Sequence, residues 1–315
     1  DLDPADGQLL LGFEDINRTW SSDEDFNDAV FLVSSNPPEA IITDDLPEAD
    51  LDDSDGDGVV GTDDHFPDDP DRVLRTKFPE HGLANVCLED NYPSLGDADF
   101  NDSVVGYSFE LVTDAEGRVK DILADLHLLA RGAAYEHLLG LHIPGLPDNV
   151  TGTLRIERFL SDEAATHEID PVVDLASVAA AGDRFVIVPS TQAALPPVPD
   201  NYYVDTEATT LDRPAASARL LLTFDEAVDP GALGPPPYDL YFGVYHGATV
   251  YDVHLPGTAG FDDRPDVLPE EVGPEAFLSE DGSPWMLEIP SGWRFPLESR
   301  NIAAAYPQFG PWAAS

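Results

Sequence analysis

Residues 103–112 (SVVGYSFELV), the turn Asp114-Ala115-Glu116-Gly117 and the return run 119–130 (VKDILADLHLLA) decide the fold. In the return run Ile122, Ala124, Leu126, Leu128 and Ala130 fall on one side, and Asp121, Asp125 and His127 on the other. A period of two marks a strand with one buried face, and the turn makes the pair a hairpin. Further strands are expected at 7–14, 28–34, 138–143, 152–159, 184–188, 217–224, 239–246 and 249–255, with Pro-rich breaks at 196–199 and 235–237. Helix patterning is weak, and its best stretch is 298–305 (ESRNIAAA). Short strands at close spacing predict an all-β fold: an antiparallel β-sandwich, jelly-roll-like, with long acidic loops and little helix.

The 315 residues include 62 Asp and Glu against 15 Lys and Arg, a formal charge of −47. Such a chain cannot neutralise a phosphate backbone, which excludes nucleic acid as a partner, and an anionic membrane surface is disfavoured for the same reason. Its partners are cations. Only two of the basic residues are lysines, Lys77 and Lys120, a composition that also suits a salty or extracellular medium. The chain is 42% hydrophobic with 29 aromatic residues, enough to bury a core. Cys87 is the single cysteine, so no intrachain disulfide can form and metal is one remaining staple. No apolar run is long enough to span a membrane. The start at Asp1 without Met is read as processing or trimming.

Two segments repeat. Gly12-Phe13-Glu14-Asp15 precedes Asp23-Glu24-Asp25-Phe26-Asn27-Asp28, and Cys87-Leu88-Glu89-Asp90 precedes Asp97-Ala98-Asp99-Phe100-Asn101-Asp102. The DFND blocks are offset by 74 residues and the Glu-Asp pairs by 75, so one intervening loop is a residue longer. A Glu-Asp pair closing one strand and a D-x-DFND block opening the next gather oxygen donors across a hairpin. The first set is Glu14, Asp15, Asp23, Asp25, Asn27 and Asp28; the second is Glu89, Asp90, Asp97, Asp99, Asn101 and Asp102. Oxygen-only donors suit Ca²⁺, and the absence of interleaved His or Cys argues against zinc and copper. The competing reading is that these carboxylates cap turns. Two copies of four or five acids each would repel without a cation, which favours metal. Phe26 and Phe100 are expected to anchor the two loops.

From Asp44 to Asp71 there are 13 acidic residues in 28, and no Lys or Arg. Within that run, residues 53–64 (DSDGDGVVGTDD) match the D-x-D-x-D-G start of an EF-hand-type loop. Asp53, Asp55 and Asp57 take the side-chain positions, Gly58 the sharp turn, Val59 the carbonyl position and Asp64 the last position, with Asp63 sharing its work. No amphipathic helix flanks it. The loop looks more like those of dockerins or thrombospondin type 3 repeats, and Asp68 and Asp71 in the following FPDDPD extend the second likeness.

The run LEDNYP (88–93), the run GDADFNDSVV (96–105), and the later VHLPG (253–257) and AYPQF (305–309) resemble the LruC-domain family of secreted bacterial proteins over about residues 84–315. The resemblance implies export, β-structure and calcium, and no settled activity. Residues 12–31 look like the closing piece of a related calcium-associated extracellular module, a complete copy of which is missing from this chain. The expected organisation is an N-terminal hairpin segment (1–43), an acidic calcium-binding linker (44–83) and a sandwich domain (84–315).

No G-x-S-x-G, H-E-x-x-H or P-loop is present, so no enzyme is expected. His137 and His142 read as ordinary strand or loop residues. Trp20, Trp285, Trp293 and Trp312 read as core or rim aromatics rather than a sugar platform. The expected function is an extracellular structural subunit rigidified by Ca²⁺, a homo-oligomer or filament. The alternative is a calcium-dependent adhesin or carbohydrate-binding module whose partners are glycans.

Overall fold

A computed structural model describes residues 8–13, 29–37, 53–162, 164–179, 184–197, 201–208, 214–261, 277–280, 282–289 and 293–313. The chain divides into two compact units, Asp1–Leu51 and Asp52–Ser315.

In the first unit β1 (Gln8–Phe13) and β2 (Ala29–Ser34) form an antiparallel hairpin whose register runs from Gln8↔Ser34 to Phe13↔Ala29. Leu11, Phe13 and Phe31 share one face, Val30 and Leu32 the other, and all five are exposed, Leu32 at 57%. The Phe13 and Phe31 rings meet edge-on at 5.6 Å.

In the second unit residues 53–73 lead into β3 (Leu74–Phe78) and β4 (Ala84–Leu88). The deciding hairpin is β5 (Ser103–Thr113) and β6 (Val119–Ala130). There follow β7 (Glu136–His142), β8 (Gly152–Phe159), β9 (His167–Ile169), β10 (Val173–Asp174), β11 (Arg184–Val188), β12 (Ala216–Val228), β13 (Asp239–His246), β14 (Thr249–Val253) and β15 (Met286–Ile289). One sheet has the order β10-β8-β12-β6-β5-β4-β15, with β3 also on β5 and β9 on β8; the other is β11-β7-β13-β14. Every pairing is antiparallel. The fold is an all-β sandwich.

The core lies between the sheets. Val105, Tyr107, Leu126, Leu128 and Leu222 of the large sheet meet Leu139, Leu141, Leu240 and Phe242 of the small one. The period-two reading of β6 holds for Ile122, Ala124, Leu126 and Leu128, which line the core, whereas a register shift between the Val104 and Val105 pairings turns Ala130 to the other face, where it is buried in a second cluster. Asp121, on the face away from the core, is buried too. Arg72 donates Nε to its Oδ2 at 2.6 Å and Nη2 to its Oδ1 at 3.1 Å, and Thr223 donates at 2.7 Å. Residues 53–83, read from sequence as linker, belong to this second unit: Val73 N–H donates to Thr113 O and β3 extends the sheet. Leu126 is fully enclosed, and Leu126→Ala is expected to cost about 2–5 kcal/mol in denaturant unfolding by loss of burial and an incompletely collapsed cavity.

A second buried cluster sits on the outer face of β4 and β5: Cys87, Phe100, Val104, Ala130, Leu287 and Ile302. The C-terminal segment, residues 293–313, covers it. That segment carries α4 (Ile302–Ala305), capped by the Asn301 carboxamide on Ala303 N–H at 2.9 Å. The helix is shorter than the expected 298–305, because Ser299 turns through φ +59° and directs its amide elsewhere.

Candidate metal centre

The loop from β4 to β5, residues 89–102, carries the second acidic motif. Ala98 and Phe100 are left-handed at φ +57° and +55°, each at a cost of about 1–2 kcal/mol for a residue with a side chain. The alternation turns two amides inward onto one carboxylate: Ala98 N–H donates to Glu89 Oε2 at 3.1 Å and Phe100 N–H to Glu89 Oε1 at 2.6 Å. Successive amides cupped this way form an anion nest. Glu89 therefore sets the loop's shape, and Phe100, 1% exposed, anchors it. Gly96 is required, since a Cβ there would lie 2.0 Å from Glu89 Oε2.

Carboxylate oxygens of Glu89, Asp97 and Asp99 lie within 4.8 Å of one another. Asp99 is buried and accepts from Asn101 N–H at 3.1 Å and, from the C-terminal segment, Ser299 N–H at 2.7 Å. The residue before it, Glu298, joins the centre electrostatically. Burial, then the charges of Asp99, Asp97 and Glu207, push Glu298 up to about 8. Burial and the charges of Asp99 and Asp97 push Glu89 up to about 7 against its two amide bonds. Burial and Asp97 push Asp99 up to about 6. Among the described residues, no Lys, Arg or His forms an ion pair with Glu89, Asp97, Asp99 or Glu298.

Asn101 is fully buried. Its Nδ2 donates to Pro296 O at 3.0 Å, but its Oδ1 has no hydrogen-bond partner. A Cβ on Gly132 would lie 1.9 Å from this oxygen and 2.8 Å from Glu298 Oε2, so both oxygens crowd the same point above Gly132. An orphaned amide oxygen among uncompensated carboxylates fits a hard cation, which takes oxygen donors of this kind.

Not every residue of the motif faces that point. Asp90 N–H donates to Asp102 Oδ2 at 2.8 Å, and Asp90 Oδ2 lies 3.1 Å from His137 Nε2. His246 Nε2 approaches Asp90 O at 2.8 Å. Burial and the neighbouring charges of Asp90 and Glu89 hold Asp102 well above the usual carboxylate range. Asp90 and Asp102 thus buttress the loop from behind. Glu298 was missed in the sequence because it stands alone in a turn, with no spacing that ties it to the motif.

In the 53–64 loop, Asp53, Asp55 and Asp57 bring carboxylate oxygens within 4.8 Å of one another. Asp53 accepts from Gly56 N–H at 2.8 Å and Gly58 N–H at 3.2 Å, Asp55 from Asp57 N–H at 3.2 Å, and Asp57 from Val59 N–H at 2.8 Å. Gly56 and Gly58 supply φ values of +84° and +95°. Asp63 and Asp64 stand outside that group; Asp64 is buried and caps Phe66 N–H at 2.7 Å. Asp68 is exposed, and Asp71 lies 3.7 Å from Lys120 Nζ. Glu14, Asp15, Asp23, Asp25, Asn27 and Asp28 lie outside the described residues.

The hairpins flanking the two motifs do correspond. Phe13↔Ala29 matches Leu88↔Ser103, and Leu9↔Val33 matches Ala84↔Tyr107, under the same offsets of 75 and 74.

Residues 117–315 match the family described as Domain of unknown function (DUF4842). The chain belongs to the DUF4842 family. Within this DUF4842 chain the match begins in the turn after β5, so it takes in Glu298 but not Glu89, Asp97, Asp99 or Asn101. A crystal structure of a putative lipoprotein from Bacteroides ovatus aligns over 76% of the DUF4842 chain and 71% of its own, with a TM-score of 0.56 and 17% identity. At that identity the likeness is one of fold. No curated protein matches the chain. No helix among the described residues is long and apolar enough to cross a membrane.

Proposed function

We propose that this chain is an extracellular or cell-surface calcium-binding structural protein of the LruC-domain type, without enzymatic activity, whose copies assemble into a filament or surface matrix. The observation that carries this reading is the centre at Glu89, Asp97, Asp99 and Glu298: two buried carboxylates, Glu89 and Asp99, with the half-buried Glu298 and the exposed Asp97, no ion-paired base among the described residues, and an orphaned amide oxygen beside Glu298. Such groups stay charged together only if a cation joins them. The three-aspartate loop at 53–57 supports a second ion. The likeness in fold to the putative lipoprotein from B. ovatus supports a place at the cell surface. Assembly is supported by β1 and β2, a two-stranded hairpin apolar on both faces, which is marginal on its own in water. With a net charge of −47, copies repel until cations neutralise them.

Calorimetry is expected to show uptake of at least two Ca²⁺ per chain, and Asp55→Asn to remove one. Mg²⁺ substitutes poorly, because it keeps its waters and demands a tighter octahedral shell. Sedimentation in millimolar Ca²⁺ is expected to show assemblies that Phe31→Glu abolishes. A wild type that takes up no calcium, or stays monomeric at high concentration, sinks this reading. A cavity of about 630 Å³ beside the centre, lined by Glu89, Leu95, Phe100, Trp285 and Phe309, favours the second reading, a calcium-dependent glycan binder. Monomers that bind a glycan array only in calcium would put that reading in its place.

A further inference from the structure

The carboxylates of the centre come from two distant parts of the chain. Asp97, Asp99 and Asn101 belong to the β4–β5 loop, while Glu298 belongs to the C-terminal segment. The two parts are stitched at four points: Asp99 Oδ2 accepts Ser299 N–H at 2.7 Å, Ala98 O accepts Ile302 N–H at 2.7 Å, Asp97 O accepts Asn301 Nδ2 at 3.3 Å, and Pro296 O accepts Asn101 Nδ2 at 3.0 Å. Beneath this seam Ile302 and Phe100 close over Cys87, which is fully buried, and Phe309 lies 5.9 Å from the Phe100 ring.

We propose that one Ca²⁺ ion, held by Asp97, Asp99, the Asn101 Oδ1 and Glu298, is the lock that fastens residues 293–313 over the outer face of β4 and β5. This rests on the reading that the chain binds calcium, and it adds which residues hold the ion and what the ion does. Three observations carry it. Asn101 Oδ1 is buried and unpartnered, and it and Glu298 Oε2 converge above Gly132, where only a missing side chain leaves room. Glu89 accepts the Ala98 and Phe100 amides of its own loop, whereas Asp99 accepts Ser299 N–H from the C-terminal segment as well as Asn101 N–H, so Asp99 rather than Glu89 joins the two parts. Glu298 directly precedes Ser299, whose N–H bonds Asp99 Oδ2, so without a cation like charges meet at the seam and push the segment off the very groups its backbone bonds to. The ion converts the repulsive term into the strongest attraction at that seam.

The free thiol reports the lock directly. Cys87 reacts with a water-soluble disulfide reagent only when residues 293–313 lift away. In the full chain at pH 8, labelling is expected to be about tenfold or more faster in chelator than in millimolar CaCl₂, because local opening sets the rate. In Glu298→Gln the calcium dependence should fall to within about twofold and calorimetry should lose one ion, while Asp148→Asn, an exposed charge remote from the seam, should behave as wild type. Near-UV circular dichroism of Glu298→Gln in calcium checks its fold; if that variant is misfolded, the wild-type rates alone still decide. Wild-type protein that takes up calcium yet labels at one rate in both conditions overturns the lock and leaves the calcium reading standing. Glu298→Gln that keeps the full calcium dependence overturns it as well. No calcium uptake at all removes both.

Discussion

Excess chelator at pH 8 is expected to lower the melting temperature of the chain by about 10–20 °C. A ligand that binds only the folded state adds about 2.7 kcal/mol when present at a hundredfold excess over its dissociation constant. Two described clusters, Asp53/Asp55/Asp57 and Glu89/Asp97/Asp99, give two such contributions. For a unit of this size each kcal/mol moves the midpoint by about 2–4 °C. The loss is not confined to binding energy. The left-handed Ala98 and Phe100 are tolerated because the loop around them is over-determined, and an uncompensated centre removes part of that support. Scanning calorimetry with calcium, with magnesium and with chelator checks the expectation. A melt unchanged by chelator would make these acids solvated decoration and their clustering a matter of turn geometry alone.

The parts of this chain that were legible in its sequence are those fixed by short-range pattern. The alternation in 119–130 placed the buried face of β6 because side chains on a strand must point alternately to core and solvent. The repeat offset carried further. Registers Phe13↔Ala29 and Leu88↔Ser103 fall at equivalent places once the two Glu-Asp and DFND blocks are aligned, with the one-residue difference absorbed in the intervening loop. The D-x-D-x-D-G spacing brought Asp53, Asp55 and Asp57 together because Gly56 and Gly58 take the positive φ that folds the loop back on itself. What was not legible is long-range. Glu298 reaches the centre only through the C-terminal segment's path across β4 and β5. Asp121 sits on the polar side of an alternating strand, yet Arg72 buries it from a segment read as linker. Asp90 and Asp102 belong to the motif by spacing, but His137, brought alongside by β7, draws Asp90 away. Each of these depends on a contact between residues far apart in the chain, which no local period encodes.

In chelator, raising the pH from about 5 to about 8 is expected to destabilise the fold. Glu89, Asp99 and Glu298 are pushed up to about 7, 6 and 8, against values near 4 for the same groups in an unfolded chain. Between those limits the folded state holds protons that the unfolded state has released, so stability falls as pH rises. The stabilising protons are fully present below about pH 4 and are lost as each group passes its folded value, the last at about 8. The limb below about pH 4 has the opposite sign, because Asp170 is lowered by its bidentate pair with Arg158, and Asp239, against the upward pull of its burial, by its bonds to and the charges of His142 and His254, and both lose that support on protonation. The metal-free protein is therefore most stable in mildly acidic solution. Saturating calcium reverses the slope from about pH 5 to 8: the cation holds the same carboxylates charged, protons compete with it, and the melting temperature rises with pH. Two melting curves against pH, one in calcium and one in chelator, should converge near pH 5 and diverge steadily toward pH 8. Glu298→Gln removes the highest of the three groups and should flatten the chelator curve above about pH 7, which separates the centre from the general repulsion of a chain with charge −47. Curves that stay parallel across that range would mean these carboxylates titrate independently of any ion.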